Sequence, residues 1–502
     1  MQRSLAYVHT TDLHKEQHGC ASLSLISTVP APKTARCPET DEERLMIFGR
    51  TTRGERQQDP DYPLEVIPQS ARRSPAGLFV LLVSFFFFTP TMLAGGQTSV
   101  GFRFSDYLGL ALIAAAVLAV YAALMGVISS RSGLSTVLIT KVCLGRAGGK
   151  WSALLLGGTQ VGWFAVTLAT LSDLIGRALS LEYTWPLVLV FGAVTAMAAY
   201  RGAKGLEMLG WVAIPLLLAL CIWVTQRAVG DIGGWGELMA TEPITEISVG
   251  SALTVLIGTF VSGSTQVGNW SRFSRTDRGA LVSIFVAVIV AQYAMYFFGG
   301  LGSAAYGEPD FVLALYEMGL VVAGAGLLLV ALWTTNENTA YAFGVAGSEL
   351  FSVNDKRPFV AGGAALGVVF ALTGIYESLS TFLVLLGTLV PPLGGAIMGQ
   401  FYLVWRGRLP RRHLTRTGGL TGLPAVRVSC FVAYLLGTAT ASAGSVFDFG
   451  IPAVQGIVVA AVSAPLCHLL LARRSGRTPD DDASGSFADG PTPRTTEQKA
   501  GD

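Results

Sequence analysis

Between about residues 75 and 472 the chain consists of long apolar stretches separated by short polar segments. Twelve stretches can be marked off, at 75–95, 106–129, 149–178, 184–200, 205–227, 247–269, 279–304, 320–347, 358–374, 379–405, 424–444 and 451–472. Each approaches or exceeds the roughly 20 residues that a helix needs to cross hydrocarbon. Hydrocarbon offers the backbone no hydrogen-bond partners, so such runs must be helices. The pattern predicts an all-α polytopic membrane protein with twelve transmembrane helices. On either side the apolar rhythm stops. Residues 1–70 mix charges, prolines and polar residues, and residues 474–502 are rich in Ser, Gly, Pro, Thr and Asp. Both segments are expected to be disordered tails. The chain does not open on basic residues followed by an apolar run and a cleavage site, so no signal peptide is expected, and Met46 is a candidate start.

Composition agrees with the pattern. Charged residues make up 14% of the chain, hydrophobic ones 51%, and there are 59 glycines. A soluble domain carries about 25% charge, so a water-soluble enzyme is excluded. A net charge of +2 gives no footprint for nucleic acid. The placement of charge is more informative than its amount. If Arg72 and Arg73 lie in the cytoplasm, every second loop is basic, from Arg131, Lys141, Arg146 and Lys150 through Arg272, Arg275 and Arg278 to Arg473, Arg474 and Arg477. The alternate loops carry Asp231, Glu237, Glu242, Glu246, Glu308 and Asp310. The positive-inside rule then places both termini in the cytoplasm and the protein in the cell membrane. The six cysteines form no CxxC pair. His9, His14, His18 and Cys20 lie in the polar tail, where a metal site is not expected.

Two spans are chemically unsuited to an unbroken helix. The first contains Ser84, Phe85–Phe88, Thr89, Pro90 and Thr91. The sixth contains Thr259, Phe260, Ser262, Gly263, Ser264, Thr265 and Gln266. Four ordinary spans separate them, so they open two five-helix sets, at 71–229 and 245–405, followed by two additional helices at 420–473. An odd number of spans per set inverts the second copy. Interrupted helices in matching positions of inverted repeats are the pattern of a secondary transporter. Close packing through small residues is the plainer alternative.

The third and eighth spans hold matching places in the two sets and carry polar groups. Gln160 and Trp163 are three residues apart and share a helix face. Together they offer an amide and a flat ring to a planar heterocycle. Thr334 and Thr335 are hard oxygen ligands of the kind a small cation needs, with Asn336 just beyond them. Glu337 is read as a satisfied carboxylate rather than a coupling group, although intramembrane carboxylates are commonly functional. An intramembrane enzyme would need a nucleophile–base pair or metal ligands at depth, and a receptor would need a signalling domain. Neither is seen.

The segments Gln69–Arg72, Leu154–Phe164, Trp333–Asn338 and Pro391–Gly395 resemble the nucleobase–cation symporter family 1, and the likeness runs from about Pro68 to Arg474. The resemblance implies a LeuT-type fold of two inverted five-helix repeats plus two additional helices. It implies a symporter importing a small planar nucleobase, cytosine first, with a hydroxymethylpyrimidine, hydantoin, allantoin or purine as alternatives. Carried over, Trp163 and Phe260 sandwich the base. Gln160 and Asn336 bond its edge, and the backbone of Ser262, Gly263 and Ser264 contributes at a break in the sixth helix. Sodium, the expected coupling ion with a proton as alternative, lies among the carbonyls of Ser84, Phe88 and Ala331 and the hydroxyls of Thr334 and Thr335. No cofactor, nucleic acid or obligatory protein partner is implied; the surroundings are membrane lipid. The sixth span departs from the family pattern at Gly263, Ser264 and Gln266, which bears on the identity of the base.

Overall fold

The first long helix stops in mid-span because of a proline. Helix α1 (Pro75–Phe86) gives way to α2 (Thr89–Ser99), and the two halves are bent by 58°. Pro90 has no N–H and its ring crowds the carbonyl four residues back, which is that of Phe86. Phe88 takes an extended conformation, φ −120° and ψ 114°. Gln292 from a distant helix donates its Nε2 to the Phe86 carbonyl at 2.7 Å. The break is therefore held by a side chain at the point where the helix loses its own donor.

This computed structural model describes residues 61–200, 203–308, 310–374, 379–410 and 420–475. After the broken pair come α3 (Phe104–Ser132), α4 (Thr136–Ala178), α5 (Trp185–Tyr200), α6 (Ala203–Asp231) and the short α7 (Trp235–Met239). The second set comprises α8 (Val249–Thr265), α9 (Gly268–Ser271), α10 (Asp277–Tyr306), α11 (Phe311–Glu317), α12 (Val321–Phe351), α13 (Arg357–Leu372) and α14 (Leu379–Met398), which runs on into a π-helical turn at Gly399–Val404. Helices α15 (Val428–Val446) and α16 (Pro452–Ser475) close the chain, packing on each other and on α14. Among the described residues five helices are long and apolar enough to cross a bilayer, and the bent α1–α2 pair makes a sixth. The other expected spans coincide with α5, α6, α8–α9, α12, α13 and α14.

The two repeats interlock: α4 packs on α12, and α3 and α2 pack on α10. Apolar side chains such as Ile113 and Val120 on α3, and Val458, Val462 and Leu466 on α16, are left outside the protein core. Such faces suit lipid. Helix α4 contains a kink at Gly145, whose φ of 91° and ψ of 179° favour glycine. The kink lets Arg146 and Ala147 donate to the carbonyls of Pro424 and Ala425, each at 2.9 Å.

The expected N-terminal tail ends earlier than residue 70. From Asp61 onward the chain is packed on the basic face, the side that gathers Arg72, Arg272 and Lys356. Ile67 is 1% exposed, and its N–H donates to the Gly133 carbonyl at 3.0 Å. The remainder of that tail, the tail histidines and Cys20, and residues 476–502 lie outside the described residues.

Helix α10 passes α2 at a close approach that only glycine permits. A Cβ at Gly299 would sit 1.8 Å from the Met92 carbonyl oxygen, whereas one at Gly109 would meet nothing within 4 Å. Overpacking of this kind costs about 1–3 kcal/mol. Gly299→Ala is expected to lower the thermal unfolding midpoint of the detergent-solubilised protein, whereas Gly109→Ala should leave it unchanged or raise it. Equal midpoints for the two variants would contradict the packing described.

Candidate functional site

The break between α1 and α2 creates the first chemical feature of the interior. A helix end leaves carbonyls without intrahelical donors, and here that end is buried: Ser84, Phe87 and Phe88 are all at most 4% exposed. Helix α12 packs against α1. It carries Ala331, Thr334 and Thr335, all buried. The Thr334 hydroxyl donates to the Ala331 carbonyl at 2.8 Å, the common helical self-bond. Thr335 Oγ1 is buried without a hydrogen-bond partner among the described residues. The five positions expected to hold a cation thus lie on α1, in the break that follows it and on α12, which packs against α1, and every donor they offer is a neutral oxygen. That set suits a small hard cation.

Beside these groups lies a small cavity of about 20 Å³, lined by Phe85, Phe88, Gln160, Trp163, Phe260 and Asn338, among others. Gln160 and Trp163 both face it from α4, as their spacing predicts, and Ser262 and Gly263 line it from α8. Three aromatic rings close on one another there. The Phe88 ring is 5.0 Å from Trp163 at 82° and 5.2 Å from Phe260 at 73°. Trp163 also meets Phe382 of α14 edge-on at 5.6 Å. The remaining space holds about one water, so a planar ring enters only if these aromatics part.

Two placements differ from the expectation. Ser262, Gly263 and Ser264 lie within α8, and the break follows at Gln266 and Val267, whose N–H groups bond the carbonyls of Gly263 and Ser264 three residues back. Tight i→i+3 bonding replaces open unwinding because Gly and Ser tolerate both geometries. Asn336 is not on the cavity wall. Its Oδ1 accepts from the Thr167 hydroxyl of α4, while Asn338, two residues and about 200° further round the helix, lines the cavity. Asn338 stood inside the Trp333–Asn338 segment, and its i,i+4 relation to Thr334 was the available signal. No sequence signal marked Phe382. Glu337 Oε1 accepts from the Trp333 indole N–H at 3.2 Å, one turn back on its own helix.

Trp163 and Thr259 also line a second and larger cavity of about 270 Å³, which extends past Gln97, Thr170 and Leu174 to Asp310 on the acidic face. Toward the basic face the interior is closed in layers. Phe85 packs on Trp270 with ring centroids 3.8 Å apart, and Trp270 lies beside Tyr341. Beneath them Arg272, 0% exposed, makes four hydrogen bonds. It donates to the carbonyls of Asn269, Tyr62 and Asp61 at 3.2, 3.0 and 2.9 Å, and to the Tyr341 hydroxyl at 3.0 Å. Lys356 pairs with Asp61 at 2.7 Å, the two side chains 1% and 7% exposed. Arg72 donates to the carbonyls of Ser130 and Ser274. Burial lowers the pKa of Arg72 and Arg73, against which Asp277 raises the first, and Tyr341 and Asp61 the second.

Residues 66–464 match the protein family described as permease for cytosine/purines, uracil, thiamine, allantoin. The cytosine permease of Escherichia coli (strain K12) is 30% identical over 376 residues, which cover 75% of this chain and 89% of that permease. A hydantoin permease of Microbacterium maritypicum is 26% identical over 277 residues, 49% of this chain and 55% of that one. Among solved structures, Mhp1, a nucleobase-cation-symport-1 family transporter in a closed conformation with bromovinylhydantoin bound, matches with a TM-score of 0.73 at 16% identity. The match covers 82% of this chain and 96% of that one. The architecture is the LeuT-type fold.

The buried ion pair on the basic face yields a test of the geometry. Removing one partner of such a pair costs about 3–5 kcal/mol, because the other charge is left unpaired. Lys356→Met is expected to destabilise the protein in thermal unfolding, and Asp61→Asn added to it should recover part of the loss. Additive losses in the double variant would show that the two groups do not interact as described.

Proposed function

The chain belongs to the family of permeases for cytosine/purines, uracil, thiamine and allantoin, and we propose that it is a secondary active importer of cytosine, driven by sodium through alternating access. Its place is the cell membrane, with both termini cytoplasmic as the loop charges indicate. The observation that carries the reading is the aromatic-walled cavity with the Gln160 amide on its face, adjoining the buried oxygen donors of α1 and α12.

On this reading the base arrives through the larger cavity, Trp163 swings aside, and the ring settles between Trp163 and Phe260 in place of Phe88. Gln160 has an amide that both donates and accepts, so it can bond a ring carbonyl or a ring N–H. Sodium would be held by the carbonyls of Ser84, Phe88 and Ala331 and the hydroxyls of Thr334 and Thr335. The ion joins the end of α1 to α12, and the base touches the same two helices through Phe85 and the α12 wall. Coupling of the two sites needs only about 1–3 kcal/mol. The membrane potential contributes about 2.3 kcal/mol per charge per 100 mV. Release then requires the layered seal of Trp270, Tyr341 and Arg272 to part. A proton as coupling ion is the second reading; the orphaned Thr335 hydroxyl favours sodium.

The test is uptake of labelled cytosine by proteoliposomes under an imposed sodium gradient, with binding followed by thermal shift. Trp163→Ala and Gln160→Ala are expected to weaken binding by at least about tenfold, through lost stacking and lost hydrogen bonding. Thr335→Val should abolish the dependence on sodium. Sodium-dependent uptake at the wild-type level by both cavity variants would overturn the site.

A further inference from the structure

Three side chains on the wall of the small cavity donate to main-chain carbonyls. Asn338 Nδ2 donates to the Thr334 carbonyl at 2.8 Å. The Thr339 hydroxyl donates to the Asn336 carbonyl at 2.9 Å, and that of Thr259 to the Val255 carbonyl at 2.7 Å. All three residues line the cavity. A carbonyl only accepts, so the orientation of the Asn338 amide is forced: the nitrogen faces Thr334 and the oxygen faces away from it. Asn338 is 1% exposed, and its Oδ1 has no hydrogen-bond partner among the described residues. Thr339 and Thr259 likewise present only oxygen lone pairs to the cavity. Gln160 differs, since it makes no hydrogen bond to any described residue and either end of its amide can turn to a ligand.

We propose that this wall reads hydrogen-bond donors, with Asn338 as the specificity-determining residue. Its Oδ1 accepts from an exocyclic amino group of the substrate, while the ring carbonyl turns to Gln160. The inference deepens the transport reading above and rests on it. The class selected is an amino-oxo heterocycle over its dioxo counterpart. A carbonyl pointed at Asn338 Oδ1 meets a second acceptor, so both lose their solvation without gaining a bond. An analogue with hydrogen in place of the amino group leaves Oδ1 buried and unpaired in the same way.

The experiment measures binding of three ligands to the purified full-length protein in sodium buffer by titration calorimetry. The ligands are cytosine, uracil and pyrimidin-2-one, which lacks the amino group. The wild type is expected to bind cytosine at least about tenfold more tightly than either analogue. Asn338→Leu, of similar shape, should bring the three affinities together. Thr339→Val should reduce the ratio by a smaller factor, and reports on the same wall if the first variant does not fold. A wild type that binds uracil as tightly as cytosine overturns the inference, and so do variants with an unchanged ratio. A wild type that binds none of the three overturns the transport reading itself, a distinguishable outcome.

Discussion

A helix interrupted inside hydrocarbon exposes a carbonyl that no water can reach, and the first repeat is organised around one such group. Pro90 removes the donor that Phe86 would otherwise have, and Gln292 supplies another from α10. The cost of leaving the carbonyl unpaired would be about 1–3 kcal/mol or more. Because the replacement donor belongs to the inverted repeat, the broken helix has to pack beside α10. The close approach at Gly299 allows that contact. The direction of α2 and the place of Phe88 both follow from this one junction.

Much of this was visible in the order of residues. Proline and hydroxyls within an apolar run signalled the first break, and the spacing of Gln160 and Trp163 placed both on the cavity. Three things were hidden for physical reasons. Gly and Ser permit several backbone geometries, so their presence in the sixth span located a break only approximately. The two asparagines of α12 differ by about 200° of helical rotation, and only packing decides which one faces inward. The Asp61–Arg73 segment has no hydrophobic period, because it is held mainly through backbone carbonyls and single side chains. Periodicity detects faces and misses point attachments.

The interior is asymmetric in what blocks it. Toward the acidic face Trp163 stands between the large cavity and the small one, and its ring meets its neighbours edge-on. Edge-on aromatic contacts are worth about 0.5–1.5 kcal/mol each beyond buried area, and an incoming planar ring can replace them with contacts of its own. Toward the basic face the barrier is several layers deep and includes buried charge. A planar ligand coming from the acidic face would therefore meet one displaceable ring before the small cavity. Passage to the basic face would require several packed layers to part.

The Arg272 seal has a further consequence for how this segment tolerates change. Two of the bonds to Asp61 and Tyr62 go to peptide carbonyls, which every amino acid supplies. Substitution at Tyr62 therefore leaves its bond to Arg272 available, whereas substitution of Arg272 removes all of them at once. The vulnerability to mutation is concentrated on one side of the contact. At Tyr62 the identity of the side chain is not what holds Arg272, whereas Asp61 and Arg72 of the same segment also attach through their side chains.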